Sequence, residues 1–183
     1  MSRILVIFAT TDGHTAKVAR FVADTLLQQG HEAVLHDARD REHPPRAQDF
    51  DAVIAAASVH VSGYQQALRH WARQNAAALS ERPNAFLSVC MGIVQATPRV
   101  MADLEAIVGR FVAHTGWRPQ RVEFVAGAIP YSRYGLLKRW VMQYMSRQAG
   151  SPTDPSRDHE FTDWDELSKF AVEFGEALTS ASG

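Results

Sequence analysis

Residues 10–15 read Thr10-Thr11-Asp12-Gly13-His14-Thr15, three hydroxyl side chains and a glycine between an apolar run and a helix-like pattern. A helix that begins here presents unpaired first-turn N–H groups to the loop, and its dipole favours an anion at that end. Gly13 lets the backbone approach a phosphate closely, while Thr10, Thr11 and Thr15 carry donor hydroxyls. The chemistry indicated is capture of a phosphate group; the plainer alternative is an ordinary turn with Thr15 near the helix cap. No lysine lies in the loop, and Asp12 would repel a polyphosphate. Neither GxxxxGK[ST] nor GxGxxG is present, which disfavours a P-loop NTPase and an ordinary dinucleotide fold. A phosphate-receiving regulator needs an aspartate at the end of its third strand, where this chain has Ala57-Ser58.

Two further loops carry residues suited to a planar ligand. Ser58-Val59-His60-Val61-Ser62-Gly63-Tyr64 follows the third apolar run. A flat ring system needs an apolar slot edged by a few backbone donors and acceptors. Val59, Val61 and Tyr64 can supply faces, and Ser58 and Gly63 close backbone contacts. His60 can donate to such a ring or shuttle protons, or it can simply face solvent. Ser88-Val89-Cys90-Met91-Gly92 follows the fourth run. Cys90 and Met91 are soft apolar groups that suit a ring edge, although Cys90 fits a buried core equally well. No Lys or Arg lies near Cys90 in sequence to make it a nucleophile. No side chain is assigned a catalytic role, and no metal site is expected.

The elements that must position these loops are legible from periodicity. Five β-rich runs cover 3–8, 32–36, 52–57, 85–89 and 122–126, several of them apolar throughout, as strands covered on both faces are. Helical patterns cover 15–29, closed by Gly30, and then 65–79, 100–115 and 164–178. The connection 37–49, with Pro44-Pro45, predicts a short crossover of little helix. Alternating strands and helices imply right-handed βαβ units. The expected fold is one α/β domain over 1–183, a doubly wound five-stranded parallel sheet of order 2-1-3-4-5, with its ligand crevice at the carboxyl ends of the strands.

Composition restricts the function classes. The chain has 183 residues, 46% hydrophobic and 21% charged, with net charge -1; nucleic-acid binding is not indicated, nor is a strongly acidic carrier. One cysteine excludes an internal disulfide and suits a reducing cytoplasm. The first residues run directly into a strand pattern with no signal-type cleavage site, and no apolar run approaches the roughly 20 residues needed to span a bilayer.

Charge is unevenly placed. After the fifth run, Leu137, Trp140, Val141, Tyr144 and Met145 recur at helical spacing beside Arg133, Lys138, Arg139 and Arg147, and no acid occurs between Glu123 and Asp154. This basic amphipathic helical insert reads as a membrane-interface element over 131–147. Packing on the domain, or on a second subunit in a homo-oligomer, is the alternative.

The run Ile7-Phe8-x-Thr10-x-x-Gly13-x-Thr15-x-x-x-Ala19 resembles the phosphate loop of the flavodoxin family. That resemblance implies a flavodoxin-like fold and FMN, with Thr10, Thr11, Asp12, Gly13, His14 and Thr15 about the phosphate. Ser58, Val59, His60 and Val61, with Ser88, Cys90, Met91 and Gly92, would then lie about the ring. Further matches extend over nearly the whole chain: Ala57-Ser58-Val59 with Gly63-Tyr64, Trp117-Arg118-Pro119, Ala126-Gly127-Ala128, Tyr131-Ser132-Arg133-Tyr134 and Thr162-Asp163-Trp164. In these the chain resembles the short menaquinone-dependent protoporphyrinogen IX dehydrogenases of haem synthesis, although 91–97 and the insert are less basic than that family's pattern. The resemblance implies an oxidoreductase acting on a tetrapyrrole, with a membrane quinone as acceptor, at the inner face of the cell membrane. An NAD(P)H-dependent flavin quinone reductase and a non-catalytic electron carrier are the alternatives.

Overall fold

Strands that are apolar at nearly every position need cover on both faces, and β1 (Arg3–Ala9) and β3 (Ala52–Ser58) receive it. The computed structural model describes residues 1–60, 63–94, 96–129 and 159–180. In chain order the remaining elements are α1 (His14–Gln28), β2 (Glu32–Asp37), α2 (Gln66–Gln74), α3 (Ala76–Ser80), β4 (Asn84–Cys90), α4 (Pro98–Thr115), β5 (Arg121–Ala126), β6 (Ala128–Ile129), β7 (His159–Glu160) and α5 (Trp164–Ser180). β1 to β5 form one parallel sheet in the order β2-β1-β3-β4-β5, as expected.

The two-residue period of the strands divides their side chains between two cores. Ile4, Val6 and Phe8 pack with Val18, Val22 and Leu26 of α1 and with Leu167, Phe170 and Phe174 of α5. Leu5, Ile7 and Ala9 turn to the other face, with Leu68, Trp71, Leu104, Phe111 and Trp117. α1 ends in a Schellman turn: Gly30 takes φ +83°, its N–H donates to the Leu27 carbonyl, and the His31 N–H donates to the Leu26 carbonyl. α4 starts as Pro98 and Thr97 dictate, the Thr97 hydroxyl accepting from the Val100 N–H at 3.3 Å.

Two departures from the sequence reading have local causes. The helix expected over 65–79 is broken at Asn75 into α2 and α3. The Asn75 carboxamide donates to the Trp71 carbonyl at 2.9 Å and accepts from the Ala47 N–H at 2.8 Å. It therefore ties the helix break to the crossover that precedes β3. The second departure is the antiparallel pair β6–β7, Ala128 opposite Glu160 and Ile129 opposite His159, whose runs are too short for periodicity to reveal. The pair brackets residues 130–158, so the insert expected over 131–147 lies outside the described residues. Among the described residues, no helix is long and apolar enough to cross a membrane.

Candidate functional site

In this sheet the chain moves outward in opposite directions from β1 and β3, so the loops that follow them diverge and leave a crevice at the carboxyl edge. Ala9 pairs with Ala57, and Ser58 with Val89, which sets the ends of β1, β3 and β4 side by side.

The loop after β1 is folded by its own residues. The Thr10 hydroxyl accepts from the Gly13 N–H at 2.9 Å, and Gly13 takes φ +93° as the residue before α1. A side chain at that φ is strained, and a Cβ there would enter open space. No side chain caps α1, so its first-turn N–H groups face the loop without that competitor. Thr15 is 1% exposed, and its Oγ1 has no hydrogen-bond partner among the described residues. A buried hydroxyl without a partner is costly, about 1–3 kcal/mol. Its place beside an uncapped helix start fits a phosphate oxygen.

A residue that sequence reasoning missed joins the first and third loops. The Gln65 Nε2 donates to Ser58 Oγ at 2.7 Å and to Thr11 Oγ1 at 3.2 Å, and its Oε1 is buried without a partner among the described residues. Its only sequence signal is its place immediately after Gly63-Tyr64. In the loop after β3, His60 and Gly63 exchange both backbone hydrogen bonds at 2.8 and 2.9 Å. Val61 itself lies outside the described residues. The half-exposed His60 stands with Nε2 3.5 Å from Asp12 Oδ2, so this histidine and the phosphate loop meet across the crevice mouth. Val59 is half-buried beside them.

Several residues expected about the ring have their side chains in the core. The Tyr64 ring is buried edge-on against Phe86 and Phe111, and its hydroxyl pairs with Ser88 Oγ at 2.8 Å. Burial pushes the Tyr64 phenol up to about 12, against the Ser88 hydrogen bond. Ser88 is wholly buried, and the Cys90 thiol lies in the same core. Burial raises the Cys90 pKa, against the opposing Ile93 and Gly92 N–H groups. Gly92 packs closely on α4, where a Cβ would come within 3.2 Å of Val100. β4 is buried at every position, and its two-residue period puts Ser88 and Cys90 on the same face as Phe86. Met91 is half-buried, its Sδ beside the backbone of Gly127.

His14 sits apart from the other loop residues. Its Nε2 lies 2.7 Å from Thr162 Oγ1. The Thr162 hydroxyl donates its one hydrogen to the Ala126 carbonyl at 2.7 Å, so the imidazole must be the donor and carries its proton on Nε2. Burial lowers the His14 pKa, Glu160 opposes that shift and Lys17 adds to it. One helical turn on, Lys17 Nζ donates to Glu160 Oε2 at 2.6 Å, and Trp164 Nε1 donates to Glu160 Oε1 at 2.7 Å. Lys17 and, after the counteracting effect of burial, Trp164 hold the Glu160 carboxyl below its ordinary value. A groove of about 500 Å³ between β5 and α5, floored by Phe124, Leu167 and Phe170, abuts Ile93 and Val94 and shares no residue with the phosphate cradle.

The sheet order and the cradle define a flavodoxin-type flavoprotein of the oxidoreductase class. The Flavodoxin domain family model matches residues 5–156, and the chain belongs to that family; FMN is the cofactor that the family and this cradle fit. The chain is 28% identical over 171 residues to the protoporphyrinogen IX dehydrogenase [quinone] of Escherichia coli K12, covering 93% of each. It is 28% identical over 173 residues to the protein of that name from Leishmania major, covering 94% of this chain and 74% of the other. Among solved structures, oxidised flavodoxin 1 from Bacillus cereus superposes with TM-score 0.56 at 17% identity, covering 96% of this chain and 98% of that one.

Proposed function

We propose that this protein is an FMN-dependent dehydrogenase that oxidises protoporphyrinogen IX to protoporphyrin IX and passes the electrons to a membrane quinone in haem synthesis. The observation that carries the cofactor in this reading is the Thr15 hydroxyl, buried at the uncapped start of α1 without a partner among the described residues. It is supported by likeness to dehydrogenases of that name along 93% of the chain. When bound, FMN supplies two-electron redox chemistry, and the conversion of protoporphyrinogen to protoporphyrin removes six electrons in three rounds.

The chain's own residues bind and orient. Thr15 and the first-turn N–H groups of α1 receive the phosphate, which the helix dipole favours. Gln65 holds Ser58 and Thr11 in fixed relation, so the phosphate and ring ends of the site keep one spacing. Val59 offers apolar surface to a ring, and His60 stands beside Asp12 as a polar pair at the crevice mouth. The substrate and the quinone are both apolar, and peripheral membrane contact through residues 131–147 would bring the site to where they dissolve. That segment lies outside the described residues, and the contact rests on its sequence pattern alone.

The test is anaerobic mixing of FMN-loaded protein with protoporphyrinogen IX and a menaquinone analogue. The expected result is porphyrin absorption and fluorescence together with quinone reduction. Protein that binds FMN, is reducible by dithionite and yet yields no porphyrin would overturn the reading. Rapid flavin bleaching by NADPH in its place would identify a nicotinamide-dependent reductase.

A further inference from the structure

The first turn of α1 has two neighbours: the phosphate cradle on one side and the junction of β7 with α5 on the other. His14 and Lys17, three positions apart, share the face turned to that junction. His14 Nε2–H donates to Thr162 Oγ1 at 2.7 Å, and Thr162 donates on to the Ala126 carbonyl at the end of β5. Lys17 is held by Glu160 at 2.6 Å and lies 5.2 Å from the centroid of the Trp164 ring, which also packs on Phe21 at 4.9 Å. The same short stretch closes back on the sheet: Phe161 N–H donates to the Gly127 carbonyl at 3.1 Å, and Gly127 N–H donates to the Cys90 carbonyl at 3.2 Å. Thr162 is thus a single hydroxyl that joins the cradle helix, the end of β5 and the start of α5.

We propose that His14 and Thr162 are positioning residues for the cofactor phosphate, and that FMN binding is thermodynamically coupled to the β6–β7 clasp through their hydrogen bond. The inference rests on FMN being the ligand of the cradle. Neither side chain has to touch the phosphate. The cradle donors are the backbone N–H groups of the turn that begins at His14, and preorganised donors bind more tightly than donors that must first be ordered. A turn held by Thr162 and Glu160 is already ordered. Coupling is reciprocal, so a clasp that tightens FMN binding is itself tightened by FMN to the same extent. Because the clasp joins residue 129 to residue 159, cofactor loading would be felt at both ends of the 130–158 stretch.

The experiment titrates apoprotein with FMN by flavin fluorescence and follows amide hydrogen exchange at Gly127 and Phe161 with and without the cofactor. In the wild type, FMN slows exchange at both amides. Thr162→Val weakens FMN binding at least about fivefold, the lower end of ordinary coupling, and abolishes that protection; Thr162→Ser, which keeps the hydroxyl, restores both. His14→Leu behaves as Thr162→Val does, while Glu173→Gln, which disturbs only the Arg121 ion pair at 3.0 Å on the other side of α5, leaves FMN affinity unchanged. Circular dichroism verifies that each variant is folded, and His14→Leu, which removes the other partner of the same hydrogen bond, carries the test if Thr162→Val is not folded. Affinity within twofold of wild type for folded Thr162→Val and His14→Leu overturns the coupling, as does an absence of FMN-dependent protection at Gly127 and Phe161 in the wild type. Wild-type protein that does not bind FMN at all overturns the cofactor reading instead.

Discussion

Thr15 is the residue at which folding and function compete. Its hydroxyl is buried without a partner among the described residues, so Thr15→Val removes an unsatisfied polar group and is expected to stabilise the apoprotein by about 1 kcal/mol. The same substitution removes a phosphate donor and is expected to weaken FMN binding about tenfold. Urea unfolding of the apoprotein and a fluorescence titration measure the two effects, and equal losses in both would show that the hydroxyl has a structural partner. His14 and Glu160 predict a pH dependence with one sign. Both groups have folded pKa values below their ordinary 6.5 and 4.5, so the unfolded chain binds more protons. The stability due to His14 is complete above pH 6.5 and is lost as pH falls through its folded pKa; that due to Glu160 is lost only below 4.5. The urea midpoint should fall from about pH 7.5 to about pH 5, and the fall should be smaller in His14→Leu.

At the scale of elements, Asn84 holds the beginnings of β4 and β5 together with the end of α3. It is 1% exposed and uses its whole carboxamide. Nδ2 donates to the carbonyls of Leu79 and Arg82 at 2.8 and 2.9 Å, and Oδ1 accepts from Trp117 Nε1 and the Gln120 N–H at 3.2 and 3.0 Å. Asn84→Leu leaves four groups without their partner at once, two of them in buried hydrogen bonds, and is expected to destabilise by about 3–4 kcal/mol. Because Asn84 is at the amino end of the sheet, away from the crevice, FMN affinity of the folded fraction should not change; a loss of affinity would mean that the strand ends shift as a unit. The long elements were legible in the sequence because their burial is periodic: every expected strand is present, extended by one or two residues. The break at Asn75 was not, since it depends on a hydrogen bond to Ala47, 28 positions away.

For the molecule as a whole, binding of FMN to the folded state alone raises thermal stability by mass action. At free FMN about 100 times Kd the gain is about 2.7 kcal/mol, which for a chain of this size corresponds to a rise in Tm of about 5–10 °C. Thermal melts monitored by circular dichroism with increasing FMN should follow that dependence, and a Tm independent of FMN would exclude a site in the folded protein. The candidate site draws on segments that only the assembled sheet brings together, Thr10 to Thr15 with Ser58 to His60 and Gln65.

The sequence by itself determined the βαβ alternation and the sheet order that goes with it, because periodicity is local, and it marked the turn before α1 through the needs of a helix N-terminus. It also put Ser58, Val59 and His60 at the carboxyl end of the third strand, where Ser58 closes β3 and the other two follow it. Only the tertiary structure decided which strand-end side chains turn inward, sending Tyr64, Ser88 and Cys90 to the core. It alone joined Gln65 to Thr11 and His14 to Thr162, residues 54 and 148 positions apart. The physical reason is that burial is a collective property of the folded chain, and a hydrogen bond between distant residues leaves no period in the sequence.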